Sequence, residues 1–310
     1  MKILTITINP ALDKSTRVKR VAPEKKLRCD EPTYEPGGGG INVSRAIKKL
    51  RGESCAWFMS GGSAGARIGE LLADEGVSFK EFKCKNWTRE NLMVFEESTG
   101  EQYRFGMPGP YLEEQEWQQV LQALETMKEQ PEYVVASGSN APGVPSYFYS
   151  RLAEIAVKKN FKLVVDTSGD ALLEAAGEGI FMLKPNLGEL AALAGKEQIS
   201  AMEQEELAQK VLDEGKSKVL VVSLGPRGAM LASKDGFEYI VPPTVKLESA
   251  VGAGDSMVGG MVLKLLEGWP LSDVVRYGVA AGTAATMTPG SELCRKTDAD
   301  QIYEWLQEHK

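Results

Sequence analysis

Short apolar runs rich in β-branched residues recur along the chain at residues 3–8, 56–59, 133–137, 163–166, 181–184 and 219–223, bounded by Gly, Pro or Asp. Runs this short and this uniformly apolar predict strands buried on both faces, as in a parallel sheet. Amphipathic stretches lie between them at 43–50, 67–75, 113–128, 147–159 and 203–214. Their apolar positions recur at helical spacing. Strand and helix therefore alternate as in βαβ units, with helices covering both faces of the sheet. Three further helices are predicted at 254–267, 271–287 and 298–307.

Two stretches break this rhythm. Residues 14–34 and 89–106 alternate polar and apolar side chains without helical spacing. Segments 91–96 and 102–105, joined across Ser98-Thr99-Gly100, predict a hairpin. The two stretches together predict a small antiparallel sheet outside the main layer, such as a lid; edge strands of the main sheet are the alternative. The chain shows no internal repeat, low-complexity tract or interdomain linker. One large α/β domain of 310 residues is the expectation, with the lid inserted discontinuously.

With 43% apolar and 25% charged residues the composition is globular. The net charge of −7 argues against a broad nucleic-acid or anionic-membrane surface, both of which need dense Lys and Arg. It leaves room for a phosphate held at a helix N-terminus. No secretory leader is expected from the first residues, and no apolar run reaches the roughly 18 residues of a membrane helix. A cytoplasmic location is the expectation. Four cysteines (Cys29, Cys55, Cys84, Cys294) form no Cys-x-x-Cys pair, and His309 is the sole histidine. Zinc sites, disulfides and histidine-relay nucleophiles are thereby disfavoured. A general base is expected to be a carboxylate or a lysine.

Four motifs carry candidate chemistry. In Val251-Gly252-Ala253-Gly254-Asp255-Ser256 the glycines let the backbone approach a ligand and turn into a helix. Helix-start amides suit an anion, and an Asp there can take a hydroxyl proton or simply cap the helix. Gly37-Gly38-Gly39-Gly40-Ile41-Asn42 opens into a helix, which favours close ligand approach over a flexible linker. It is neither a Walker A loop nor a Rossmann fingerprint. In Lys184-Pro185-Asn186-Leu187-Gly188-Glu189, Asn186 and Glu189 share a helical face. That pair can hold hydrated Mg²⁺ or form a capping box, and Asp166 at another strand end is a second metal-shell candidate. Ser223-Leu224-Gly225-Pro226-Arg227-Gly228 reads as a nucleotide-contacting turn or a plain β-turn. Lys26, Arg28, Arg89 and Arg104 lie in or beside the unusual stretches and can grip phosphate or stand as solvated charges.

The order of these motifs, with Asn9-Pro10-Ala11-Leu12-Asp13 before them, resembles the ribokinase (PfkB) family of sugar kinases over essentially the whole chain. Lys26-Leu27-Arg28-Cys29, Glu35-Pro36-Gly37, Trp87-Thr88-Arg89 and Gly100-Glu101-Gln102-Tyr103-Arg104-Phe105 narrow the likeness to the branch that phosphorylates fructose 6-phosphate. The resemblance implies a three-layer α/β/α sandwich with a lid, and ATP as phosphate donor. It implies Asp255 as the base, with the amides of Gly252, Ala253 and Gly254 as an anion hole. Asp13, Gly38, Gly39, Asn42 and Ser139 would line the sugar site, and Lys26, Arg89 and Arg104 would hold its phosphate. Asn186 and Glu189 would organise Mg²⁺, with Asp166 nearby. Lys184, Asn186, Ser223, Gly225 and Gly228 would face the nucleotide. A K⁺ site would lie near Ser249, Val251, Ala285 and Gly290. A homodimer through the lid sheets is also implied.

Three departures stand out. The glycine run lacks the Lys usual in the fructose-1-phosphate and tagatose-6-phosphate branches, Ser139-Asn140-Ala141-Pro142-Gly143 replaces Ser-Leu-Pro-Pro-Gly, and Thr288 and Glu292 sit near the K⁺ loops where this branch tends to carry Asn and Arg. Kinases for those two sugars are the near alternatives. A non-catalytic sugar or nucleotide sensor is a more distant one, and a nicotinamide dehydrogenase lacks its fingerprint.

Overall fold

Every side chain of the first strand, β1 (Ile3–Thr7), is buried: Leu4 and Ile6 toward one layer of helices, Ile3, Thr5 and Thr7 toward the other. This is the geometry that a short, largely apolar β-branched run predicts. The computed structural model describes residues 1–310 apart from Glu178 and Ser291. Flanking β1 in the main sheet are β4 (Cys55–Ser60), β5 (Ser78–Lys83), β8 (Tyr133–Ser137), β9 (Lys162–Asp166), β10 (Ile180–Leu183) and β11 (Val219–Ser223). The hairpin β12 (Ala229–Ser233) and β13 (Gly236–Ile240) completes the order β13-β12-β11-β10-β9-β8-β1-β4-β5. Pairing is parallel from β11 to β5 and antiparallel for β11–β12 and β12–β13.

One face carries α1 (Gly39–Lys49), α2 (Gly62–Asp74), α8 (Ala253–Leu266), α9 (Leu271–Thr286) and α10 (Lys296–Glu308). The other carries α3 (Glu114–Thr126), α4 (Phe148–Lys159), α5 (Gly169–Ala175), α6 (Leu187–Leu193) and α7 (Gln204–Asp213). Helix α1 is fixed to β1 by polar as well as apolar contacts. The Ile41 amide donates to Thr7 Oγ1 at 2.8 Å, and Thr5 Oγ1 lies 2.9 Å from Ser44 Oγ. The expected helix at 43–50 begins four residues earlier, inside the glycine run.

The second sheet has the order β3-β2-β6-β7, from β2 (Ala11–Val18), β3 (Thr33–Gly37), β6 (Arg89–Glu96) and β7 (Gln102–Phe105). It confirms a sheet outside the main layer and the 91–96/102–105 hairpin. Two details differ from expectation. Residues 19–32 form no strand, and the first lid strand begins at Ala11 rather than at residue 14. The expected antiparallel sheet is antiparallel only in its outer pairs, since β2 and β6 run parallel. The cause is topological. Strands β2 and β6 follow β1 and β5, which are parallel members of the main sheet. Both leave the same edge of that sheet and keep its direction.

Candidate active site

Parallel strands deliver their C-terminal residues to one edge of the sheet, where open α/β folds bind ligands. Here that edge receives Asn9 after β1, Ser139 after β8, Asp166 at the end of β9, Lys184 after β10 and Ser223 at the end of β11. The N-termini of α1 and α8 arrive at the same place. Gly252, with φ of 73°, turns the chain into α8 through the left-handed region that favours glycine. No side chain caps α8, and Asp255 in its first turn accepts from Asn42 instead: Nδ2 donates to Asp255 Oδ2 at 2.9 Å. The helix-cap alternative for Asp255 is therefore not what the fold uses.

Burial raises the Asp255 pKa to about 7, and the Asp166 carboxylate adds to the rise. Asn42 and the Lys184 ammonium oppose it, and Asp13 adds a smaller rise. A carboxyl poised there can accept a proton at neutral pH. Lys184 is itself buried, with Nζ 3.1 Å from Asp166 Oδ1. Burial works against its charge, but Asp166, Asp255 and Glu189 outweigh it and raise its pKa. The ammonium also approaches the start of α8, since a Cβ on Gly254 would lie 3.7 Å from Nζ.

The glycine run brings backbone against backbone. A Cβ on Gly39 would fall 2.2 Å from Ser137 Oγ and 2.7 Å from the Gly138 nitrogen. Gly38 adopts φ of 112°, which completes the turn into α1. The root of this loop is clamped by Arg45, one helical turn beyond Asn42. Arg45 is 2% exposed. It donates to Glu75 from Nε at 2.8 Å and Nη2 at 2.7 Å, and to the Pro36 carbonyl from Nη1 at 3.1 Å.

At the lid root, Asp13 Oδ1 accepts from Asn91 Nδ2 at 2.8 Å. Burial raises the Asp13 pKa, with Asn91 and then Arg89 opposing. Arg89 spans the lid connections: Nη2 donates to the Asn9 carbonyl at 3.0 Å, Nη1 to the Met107 carbonyl at 3.1 Å and Nε to the Pro10 carbonyl at 3.4 Å. Asn9 Nδ2 donates to Ser139 Oγ at 3.2 Å. Asp13, Asn42, Asp255, Asp166 and Lys184 thus form one electrostatic neighbourhood, with Arg89 and Ser139 at its border.

Other candidates stand apart. Arg104 is exposed on β7 and donates to Gln102 Oε1, opposite Met93 and farther along β6 than Asn91. Lys26 and Arg28 are exposed on the 19–32 stretch. Asn186 and Glu189 form a full capping box: the Glu189 amide donates to Asn186 Oδ1 at 2.9 Å and the Asn186 amide to Glu189 Oε2 at 2.7 Å. Burial raises the Glu189 pKa. Residues 223–228 close a tight turn, with the Leu224 amide donating to the Gly228 carbonyl at 2.8 Å. In the loops near 250 and 285, the Val251 amide donates to Ser249 Oγ at 3.2 Å. Thr288 Oγ1 donates to the Ala285 and Leu293 carbonyls at 2.8 and 3.0 Å, and Gly290 faces Glu35.

Two groups escaped the sequence reading. In sequence Arg45 is one polar position in a helix and Asn91 one polar residue in a hairpin. Only the alternation that puts Asn91 on the face of Arg89 hinted at a role. A cavity of about 610 Å³ lined by Tyr133, Phe161, Lys162 and Phe181 opens at the opposite strand ends and touches none of these groups.

A parallel α/β/α sandwich with a lid and a near-neutral carboxyl at a helix start defines a small-molecule phosphotransferase. The chain belongs to the pfkB carbohydrate kinase family, whose model matches residues 4–298. It is similar to the ATP-dependent 6-phosphofructokinase isozyme 2 of Escherichia coli (strain K12), at 46% identity over 99% of both chains. It is similar to the crystal structure of phosphofructokinase-2 from Escherichia coli in complex with potassium, with a TM-score of 0.94 and 45% identity over 99% of both chains. The complex of that enzyme with fructose-6-phosphate matches with a TM-score of 0.91 and 44% identity, again over 99% of both chains. Among the described residues no helix is long and apolar enough to cross a membrane.

Proposed function

We propose that this carbohydrate kinase transfers the γ-phosphoryl group of ATP to the 1-hydroxyl of fructose 6-phosphate, giving fructose 1,6-bisphosphate. The observation that carries the reading is the run of electrostatic neighbours from Arg89 through Asp13 to the hydrogen-bonded pair Asn42 and Asp255. A phosphoketose matches such a path: an anion at one end, hydroxyls between, and a primary hydroxyl at the base. The activity for which the Escherichia coli relative is named, and the fructose-6-phosphate in its complex, point the same way.

In this reading Asp255 takes the proton as the sugar oxygen bonds to the γ-phosphorus. The bond from that phosphorus to the bridging oxygen breaks, and ADP leaves. Transfer of this kind needs positioning and charge stabilisation more than covalent protein chemistry. The amides of Gly252, Ala253 and Gly254 meet the developing charge at the helix start. Asp13, Asn42, Gly38, Gly39 and Ser139 line the sugar, while Arg89 grips its phosphate, joined by Lys26 and Arg104 on lid closure. Lys184 faces the nucleotide phosphates, with Asn186, Ser223, Gly225 and Gly228 around the nucleotide.

Mg²⁺ would be held near Glu189 and Asp166 largely through water and substrate, since Asp166 Oδ1 already pairs with Lys184. Glu189 keeps Oε1 outside the capping box, and among the described residues no cluster of three acidic, His or Cys side chains forms a dedicated cage. When bound, it would neutralise phosphate charge. K⁺ would sit near Ser249, Val251, Ala285 and Gly290. In this reading residues 1–310 would act as one cytoplasmic kinase domain. Homodimerisation would cover the exposed lid residues Phe105 and Leu27, 50% and 37% exposed.

Initial rates of ADP formation with fructose 6-phosphate, tagatose 6-phosphate and fructose 1-phosphate test the reading. The highest kcat/KM is expected for fructose 6-phosphate. A higher value for either rival, or no ADP with any acceptor, contradicts it.

A further inference from the structure

We infer that Asn91 is a positioning residue for the phosphosugar site, aligning the hydroxyl-binding carboxylate of Asp13 with the phosphate-binding guanidinium of Arg89. The inference rests on the proposed roles of those two residues.

Asn91 sits directly opposite Asp13 across the β2–β6 pair and two residues beyond Arg89 on β6. The two-residue period of a strand puts Arg89 and Asn91 on one face. Both ends of the Asn91 carboxamide are engaged. Nδ2 donates to Asp13 Oδ1 at 2.8 Å, and Oδ1 accepts from the Met107 amide at 3.0 Å. The Met107 carbonyl in turn accepts from Arg89 Nη1 at 3.1 Å. One residue, Met107, therefore links the Asn91 side chain to the Arg89 side chain. The segment it belongs to leads from the lid to α3.

The Asp13 carboxylate is confined on two sides. Asn91 holds Oδ1, and the Gly37 carbon packs against Oδ2, where an added Cβ would fall 2.1 Å away. Its charged neighbours are Glu35 from β3, Arg89 from β6 and Arg45 from α1, with Asp255 of α8 in electrostatic contact. Of these influences the Asn91 hydrogen bond is the strongest that favours the ionised carboxylate. An acceptor carrying a hydroxyl and a phosphate at the matching spacing meets both groups already oriented, and ordering before binding is what raises affinity. The reacting atoms lie at Asp255, so Asn91 acts through Asp13 and Arg89 and touches neither the transferred group nor the base.

Steady-state kinetics of Asn91→Leu, Asn91→Asp and Asp13→Asn, each titrated with acceptor and with ATP, test this. A hydrogen bond to a charged group is lost in Asn91→Leu, so the acceptor KM is expected to rise about 10-fold or more. The ATP KM should stay within about twofold. The excess in acceptor KM should grow toward low pH, because Asp13 loses the hydrogen bond that most favours its ionised form. Asn91→Asp retains an acceptor for the Met107 amide but faces Asp13 with a second carboxylate, so it should show the same selective rise with a steeper growth toward low pH. It also carries the test should Asn91→Leu fail to fold. Equal rises in both KM values, or an acceptor KM unchanged at every pH in folded Asn91→Asp, overturn the inference. If Asp13→Asn weakens the acceptor and the Asn91 variants do not, this inference alone fails. If Asp13→Asn is itself silent, the proposed sugar site fails with it.

Discussion

Asn42 of the first helix donates to Asp255 of the eighth across 2.9 Å, so the glycine-run helix directly holds the carboxyl at the start of α8. The bond favours the ionised carboxylate against burial and against Asp166. The Asn42 side chain is buried, and its Oδ1 has no protein partner. A buried acceptor of that kind suits a substrate hydroxyl.

The pH profile follows from this pair. A base whose pKa is raised to about 7 is protonated below that pH, so kcat/KM should climb as pH rises through it. Asn42→Leu removes a group that lowers the Asp255 pKa. The acidic limb should then move upward by about one pH unit. An unmoved limb in a folded Asn42→Leu enzyme would separate the limb from Asp255.

Stability carries the opposite sign. The Asp255 pKa is raised above its ordinary 3.8, so the folded state binds the proton more tightly than the unfolded state. Its contribution is fullest below the unfolded pKa and is lost as pH climbs toward about 7. Asp255→Asn abolishes that loss. Its Tm should exceed the wild-type value at pH 8, on the order of 3 °C, and converge with it near pH 4. Thermal melts at the two pH values decide this.

Lys184 and Asp166 lie 3.1 Å apart with side chains only 9% and 17% exposed. Breaking one partner of a buried pair typically costs about 3–5 kcal/mol. Lys184→Met should lose about that much in urea unfolding and also shift the Asp255 limb upward. Pairing it with Asp166→Leu should recover much of the stability without recovering turnover.

The seven strands that run parallel differ in how plainly the sequence marks them. Six, buried on both faces, appear as largely apolar runs such as residues 133–136 and 219–222, because burial on both sides leaves few polar positions, those that remain being hydrogen-bonded like Thr5 and Thr7. Strand β5, Ser78-Phe79-Lys80-Glu81-Phe82-Lys83, lies at the sheet edge and alternates, so its signal blends into its neighbours. The β12–β13 hairpin was legible too, since Asp235-Gly236 marks its two-residue turn, but it was not among the expected elements. The parallel pairing of β2 and β6 was illegible because it depends on which sheet edge both strands leave. The motif residues at strand ends were legible. Asn91 and Arg45 were not, because their partners, Asp13 and Glu75, are distant in sequence.

Close approach at the glycine run gives a further outcome. Gly39→Ala would press its Cβ to 2.2 Å from Ser137 Oγ and 2.7 Å from the Gly138 nitrogen. Backbone cannot yield as a side-chain end can, so about 1–3 kcal/mol of stability should be lost, with weakened acceptor binding. Gly106→Ala meets nothing within 4 Å and serves as the neutral control. Equilibrium unfolding of both variants checks the contrast.

The central claim is that Asp255 drives phosphoryl transfer to the 1-hydroxyl of fructose 6-phosphate. Phosphorus NMR of ATP and fructose 6-phosphate incubated with wild type and with Asp255→Asn tests it most directly, alongside calorimetric titration of ATP. Wild type should accumulate ADP and a new 1-phosphate resonance. Asp255→Asn should bind ATP normally and form product slower by several orders of magnitude, on the order of 10³-fold or more. Near-normal product formation by Asp255→Asn, or a wild-type product phosphorylated elsewhere, would contradict the claim.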